Sequence, residues 1–151
     1  MHTSEDLAAE YSGYLTYRIS QLSAKLNAQA NRVLKAEFGL SVVKWRILVL
    51  VHNAAPVNAA VLCKGLSMDA GLFSRTLKTL VEEKLVKISG SKTDKRQTLI
   101  SLTKAGKQKV QQAAPVMAKR REQLTDGFSA RERSELMRML NILDRNAAKT
   151  I

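Results

Sequence analysis

Carboxylates are scarce in this chain: 13 Asp and Glu stand against 25 Lys and Arg in 151 residues, giving a formal net charge of +12 and a pI near 10.1. An excess of that size makes a polyanionic partner the first hypothesis, without choosing between DNA, RNA and an acidic membrane surface. Cysteine is nearly missing. The single Cys63 excludes an internal disulfide framework and a thiolate-rich zinc site, and it fits a reducing compartment. The only histidines, His2 near the terminus and His52, offer no metal-ligand spacing, so neither metal nor cofactor is expected. There is no nucleophile with a base and no glycine-rich phosphate loop, "SGSK" at 89–92 being too short, so catalysis is not expected. No apolar run approaches the roughly 18 residues of a membrane span, and "MHTSEDLAAEYSGYL" has acids where a signal peptide needs basic residues. The chain therefore reads as soluble and cytoplasmic. With only two prolines and seven glycines against 45% hydrophobic residues, breakers are few, and the expectation is a folded, helix-rich domain.

What is present has a clear order. Tyr11, Leu15, Ile19, Leu22, Leu26, Ala30 and Val33 recur at steps of three and four, predicting an amphipathic helix from about Leu7 to Phe38. Its length of about eight turns suits packing on a partner chain or another long helix. Gly39 breaks it and Ser41 caps a second helix, with Trp45, Leu48 and Val49 or His52 on one face. Asn58 caps a short helix carrying Val61, Leu62 and Leu66, and Asp69 caps another with Phe73, Leu77, Leu80 and Val81 on one stripe. Two short helices about a tight turn form a helix-turn-helix pattern. The period then shortens: "LVKIS" and "QTLISL", separated by "GSKTDKR", predict an antiparallel hairpin. Thr103 caps a further helix with a kink expected at Pro115, Asp126 and Gly127 end it, and Ser129 with Glu132 forms a capping box. The last helix carries Leu136, Met139 or Leu140, Leu143 and Ala147 along one side. The fold class is mainly α with one small β-hairpin, in which a winged module lies between helices with more apolar face than it can cover.

The ordered set "LSVVKWRILVLV", "LFSRTLKTLVEEKLV", "TDKRQTLISLTKAGK" and "AAPVMAKRREQL" resembles the MarR family of winged helix-turn-helix transcriptional regulators over about Leu40 to Gln123. The resemblance implies a homodimer built by terminal helices, with 1–38 and 104–151 as dimerisation segments and 39–103 as the DNA-binding domain. It implies double-stranded DNA as partner and a pseudo-palindromic operator, usually under repression. Carried over by position, Ser74 and Arg75 face the groove from the recognition helix, with Thr76 and Lys78 beside them. Asp94 orients Arg96 on the wing toward the minor groove, and Lys92 and Lys95 add phosphate-facing charge. Three positions depart from the family pattern. Gly71 and Leu72 replace a frequent Ser-Thr pair, leaving Leu72 to meet a thymine methyl, and Lys84 stands where the helix exit usually has Gly.

The charge distribution agrees. Between Gly39 and Thr103, ten basic residues against four acidic ones leave +6, whereas the segment before Gly39 is neutral. Such charge binds phosphates by counterion release, with sequence choice resting on few residues. Lys104, Lys107, Lys109 and the "KRRE" run at 119–122 read as solvated helix faces. Cys63 reads as a small buried residue rather than a redox sensor, since only Lys64 adjoins it. The resemblance also implies a small-molecule pocket, often for an aromatic acid. Tyr11, Tyr14, Arg18 and Trp45 are its candidates, against the plainer role of packing at the dimer seam. The alternative of another class is a ligand-independent architectural protein binding DNA mostly through its backbone.

Overall fold

The computed structural model describes residues 3, 6, 10–90 and 98–149. Its first long helix, α1 (Leu15–Phe38), begins later than the periodicity suggests. Tyr11 to Gly13 form a turn, and Tyr14 precedes α1 in an extended conformation without a side-chain cap. Apolar spacing continues across this break, which is why the sequence pattern runs through it. At the other end Gly39 closes α1 at φ 66°, in the left-handed region that glycine enters without penalty.

Helix α2 (Val42–Ala54) starts where Ser41 accepts a hydrogen bond from the Lys44 amide, and Asn31 of α1 accepts one from the Val42 amide at 2.8 Å. Trp45, Ile47, Leu48 and Val51 form its buried side, while His52 is exposed and Val49 half-buried. Neither alternative offered for that face therefore holds as a core position. The short strand β1 (Val57–Asn58) follows, then α3 (Ala59–Gly65), capped by Asn58 as expected. Leu62 is buried, but Val61 is 65% exposed, because a helix of two turns has room for only one inward row.

Asp69 accepts from the Leu72 amide at 2.8 Å and so caps α4 (Ala70–Glu82), which buries Phe73, Leu77 and Leu80 and leaves Val81 at the surface. Strands β2 (Val86–Gly90) and β3 (Thr98–Leu102) pair antiparallel with Val86 opposite Leu102 and Ile88 opposite Ile100. β1 adds to the other edge of β3, so the expected hairpin is a three-stranded sheet of order β1-β3-β2. Ile100, fully buried, joins Leu34, Leu40, Ile47, Leu48, Val51 and Leu80 in the core.

Helix α5 (Lys104–Leu124) continues through Pro115, and α6 (Ala130–Ala147) opens on the expected capping box, with Ser129 and Glu132 exchanging hydrogen bonds. By internal packing the chain forms two units, Met1–Ala113 and Ala114–Ile151. In the second, α6 buries no residue, and Phe128, Met137, Met139 and Leu140 stay exposed.

Both turns flanking α4 are closed by residues other than glycine in left-handed conformation. Ser67 (φ 50°) lies between α3 and α4, and Lys84 (φ 57°) lies between α4 and β2. After α4 the Lys84 amide donates to Val81 O and the Leu85 amide to Leu80 O, each at 2.9 Å, which satisfies the helix's last carbonyls in a Schellman motif. A side chain at left-handed φ costs roughly 1–2 kcal/mol, part of which glycine returns as backbone entropy. Lys84→Gly should therefore raise stability by about 0.5–1 kcal/mol in urea denaturation; an unchanged or lowered midpoint would show that Lys84 contributes something its backbone does not reveal.

The exit of α4 is also fastened to the start of α5. The Thr103 amide donates to Leu85 O at 3.1 Å, and its hydroxyl donates toward Lys84 O at 2.7 Å and Leu85 O at 3.2 Å while accepting the Gly106 amide at 3.0 Å. A Cβ placed on Gly106 would stand 2.0 Å from Leu85 O, so the helix backbone seats directly on that carbonyl.

Candidate DNA-binding surface

With Phe73, Leu77 and Leu80 turned inward, α4 presents Gly71, Leu72, Ser74, Arg75 and Lys78 outward, all exposed. Four of the five recognition-helix residues expected from sequence thus share one solvent-facing surface. Thr76 sits at its margin, half-buried, and spends its hydroxyl proton on Leu72 O at 2.8 Å. It can still accept a hydrogen bond, but donating to a base would first break that bond. Lys78 lies 3.9 Å from Glu82, one turn on, a pair exposed on both sides and therefore weak. Glu83 points elsewhere and pairs with Lys44 at the start of α2.

Arg75 has a setting that sequence alone did not reveal. A Cβ on Gly71 would meet Arg75 Nη1 at 3.3 Å and Asp69 Oδ1 at 3.1 Å, so the guanidinium lies back along the helix over the space that glycine leaves. Gly71 had registered only as a lost hydroxyl; here it makes room for the cation. Leu72, at 40% exposure, is the one large apolar side chain on this surface, available to a thymine methyl without first leaving the core. The helix N-terminus beneath them contributes a partial positive charge, and Asp69 engages only the Leu72 amide of its first turn.

Lys92, Asp94, Lys95 and Arg96, expected on the wing, lie outside the described residues. Strands β2 and β3, which flank them in sequence, are paired from Val86–Leu102 to Gly90–Thr98.

The four effector candidates do not gather. Tyr11 contacts Tyr14 and Tyr17, ring centroids 5.7 Å apart in each case, and both Tyr11 and Tyr14 are exposed, as is Arg18. Trp45 is instead 7% exposed within the core and makes no ring contact among the described residues. Cys63 is half-buried with its thiol 3.5 Å from Met68 O, inside the turn of the helix-turn-helix.

Residues 38–97 match the family model described as MarR family, a span that includes α2, α3, α4 and the wing sequence. An uncharacterised helix-turn-helix-type transcriptional regulator of Bacillus subtilis, YwoH, is 29% identical over 83% of this chain and 93% of its own length. Among solved structures, a MarR/EmrR family transcriptional regulator from Acinetobacter sp. ADP1 superposes with a TM-score of 0.87 at 26% identity, covering 93% of this chain and 99% of that one. A mutant MarR from E. coli, complexed with operator DNA, gives 0.71 at 25% identity over 83% and 93% of the two chains.

Proposed function

We propose that this chain, whose residues 38–97 match the MarR family model, is a DNA-binding transcriptional regulator of that family and acts as a homodimeric repressor on a pseudo-palindromic operator in the cytoplasm. The observation that carries this reading is the outward face of α4, where Leu72, Ser74, Arg75 and Lys78 stand together on a helix anchored by Phe73, Leu77 and Leu80. One side of that helix is fixed, and the other has no partner but solvent among the described residues.

Dimerisation rests on two unpartnered apolar faces, proposed for segments 1–38 and 104–151. On α1, Leu15, Ile19 and Leu22 are 54%, 42% and 56% exposed, and α6 exposes Met137, Met139 and Leu140. A two-fold axis would then place the two α4 helices in successive major grooves about one turn of DNA apart. Arg75 and Leu72 would read base edges, Ser74 and Lys78 would hold phosphates, and the Arg96 wing, braced by Asp94, would enter the adjacent minor groove with Lys92 and Lys95 on the backbone. Arg96→Ala should reduce the salt slope of binding by about one unit and relax preference for A·T-rich flanks; an unchanged slope and preference would remove the wing from the interface.

An aromatic acid is the class of effector proposed for Tyr11, Tyr14 and Arg18, which are all exposed, while Trp45 is held in the core. Selection of bound genomic fragments at physiological salt, with bulk DNA as competitor, tests the whole reading. A regulator retains one preferred site with two half-sites, whereas an architectural protein, which the charge of +12 would also serve, retains none. A monomeric mass by sedimentation at micromolar concentration would overturn the dimer.

A further inference from the structure

The outer face of the small sheet carries a second concentration of positive charge, away from the recognition helix. Lys87 on β2 and Ser101 on β3 are cross-strand partners, and they point opposite to Ile100, which faces the core. With Lys107 of α5 and His52 at the end of α2, they line a cavity of about 260 Å³ floored by Val51 and Leu102 and edged by Pro56. Among the described residues no carboxylate lines it. The described acids between Gly39 and Thr103 are engaged elsewhere: Glu83 holds Lys44, Glu82 faces Lys78, and Asp69 caps α4. Among the described residues neither Lys87 nor Lys107 has an ion-pair partner. Helix α2 ends at this cavity and α5 begins there, so the two helix dipoles work against each other and the side chains set the sign of the field.

We propose that this cavity binds a phosphate oxyanion through Lys87, Lys107, Ser101 and His52. Two ammonium groups, a hydroxyl and a ring N–H supply separate donors to a tetrahedral anion. The volume lies near the lower end of ligand pockets, about 300 Å³, and suits a small phosphate monoester; a DNA backbone phosphate is the other source of the same chemistry. In either case the bound anion ties the wing strand β2, the end of α2 and the start of α5 to one another. This site does not depend on the reading of α4, because it is formed by other residues and is tested without DNA.

The test is a titration of the full-length, ¹⁵N-labelled protein with inorganic phosphate and with glycerol phosphate, against chloride at matched ionic strength. Saturable shifts centred on the amides of Lys87, Ser101 and Lys107 are expected, and K87Q and K107Q should each weaken binding roughly tenfold, as loss of a charged hydrogen bond does. Both side chains are exposed, and an unchanged spectrum elsewhere would show that the variants are folded. Shifts that fail to saturate, that spread over all lysines, or that survive both substitutions would overturn the site. Adding a DNA duplex to the phosphate-saturated protein then identifies the source. Displacement of phosphate assigns the cavity to the DNA backbone, and simultaneous binding assigns it to a free monoester, each outcome upholding the oxyanion site.

Discussion

Gly106→Ala should cost the protein about 3 kcal/mol, and Gly106→Val should leave little folded chain at 37 °C. The added Cβ would fall 2.0 Å from Leu85 O and 3.0 Å from its carbonyl carbon, both backbone atoms. No rotamer change relieves such an overlap. Either α5 lifts off the exit of α4, breaking the Thr103 hydrogen bonds to Lys84 O and Leu85 O, or β2 shifts and disturbs its pairing with β3. Urea denaturation measures the loss directly, and Gly65→Ala is the control, since nothing lies within 4 Å of a Cβ there. Equal midpoints for the two variants would contradict the close approach at Gly106.

The second large effect concerns binding. Arg75→Ala should lower affinity for the selected operator by about tenfold to a hundredfold, the range of one good bidentate base contact, while changing affinity for unrelated duplexes much less. Its fold should be untouched, because the side chain is exposed and the buried positions of α4 are Phe73, Leu77 and Leu80. Uniform weakening across all duplexes, with a shallower salt slope, would instead make Arg75 a phosphate ligand. Gly71→Ser sharpens the experiment: its Cβ would crowd the guanidinium at 3.3 Å, so preference should shift at the base pair proposed to meet Arg75 even though Arg75 is retained. Fluorescence anisotropy at several salt concentrations separates these outcomes.

Local chemistry made much of this architecture legible. Ser41, Asn58, Asp69 and Ser129 announce helix starts because a cap needs only a side-chain oxygen and an amide two or three residues on. The stripe of Phe73, Leu77 and Leu80 likewise follows from spacing alone, and from it the outward set Leu72, Ser74, Arg75 and Lys78. What sequence did not disclose depends on distant partners. Strand β1 exists only through pairing with Leu99 and Ile100, some forty positions away, and two residues carry no periodicity. Trp45 offers as good a ring to a ligand as to a core, and only packing decides between them. The break before α1 passes unseen because Tyr14 supplies no side-chain cap while the apolar rhythm continues. The glycine of "LTKAG" shows itself in the letters but gives no sign of what presses on it.

That carbonyl of Leu85 has a mechanical meaning. It receives the Thr103 amide and, at longer range, the Thr103 hydroxyl, and the bare backbone of Gly106 closes over it. Sliding α5 along the end of α4 would drive its neighbouring residues, which have side chains, into the oxygen, so translation is blocked. Tilting about the oxygen keeps the same partners at nearly the same distances and is the motion left open. The joint is therefore a ball-and-socket rather than a slide: a tilt at the start of α5 would reach α4 as a change of angle, with a single backbone oxygen as fulcrum.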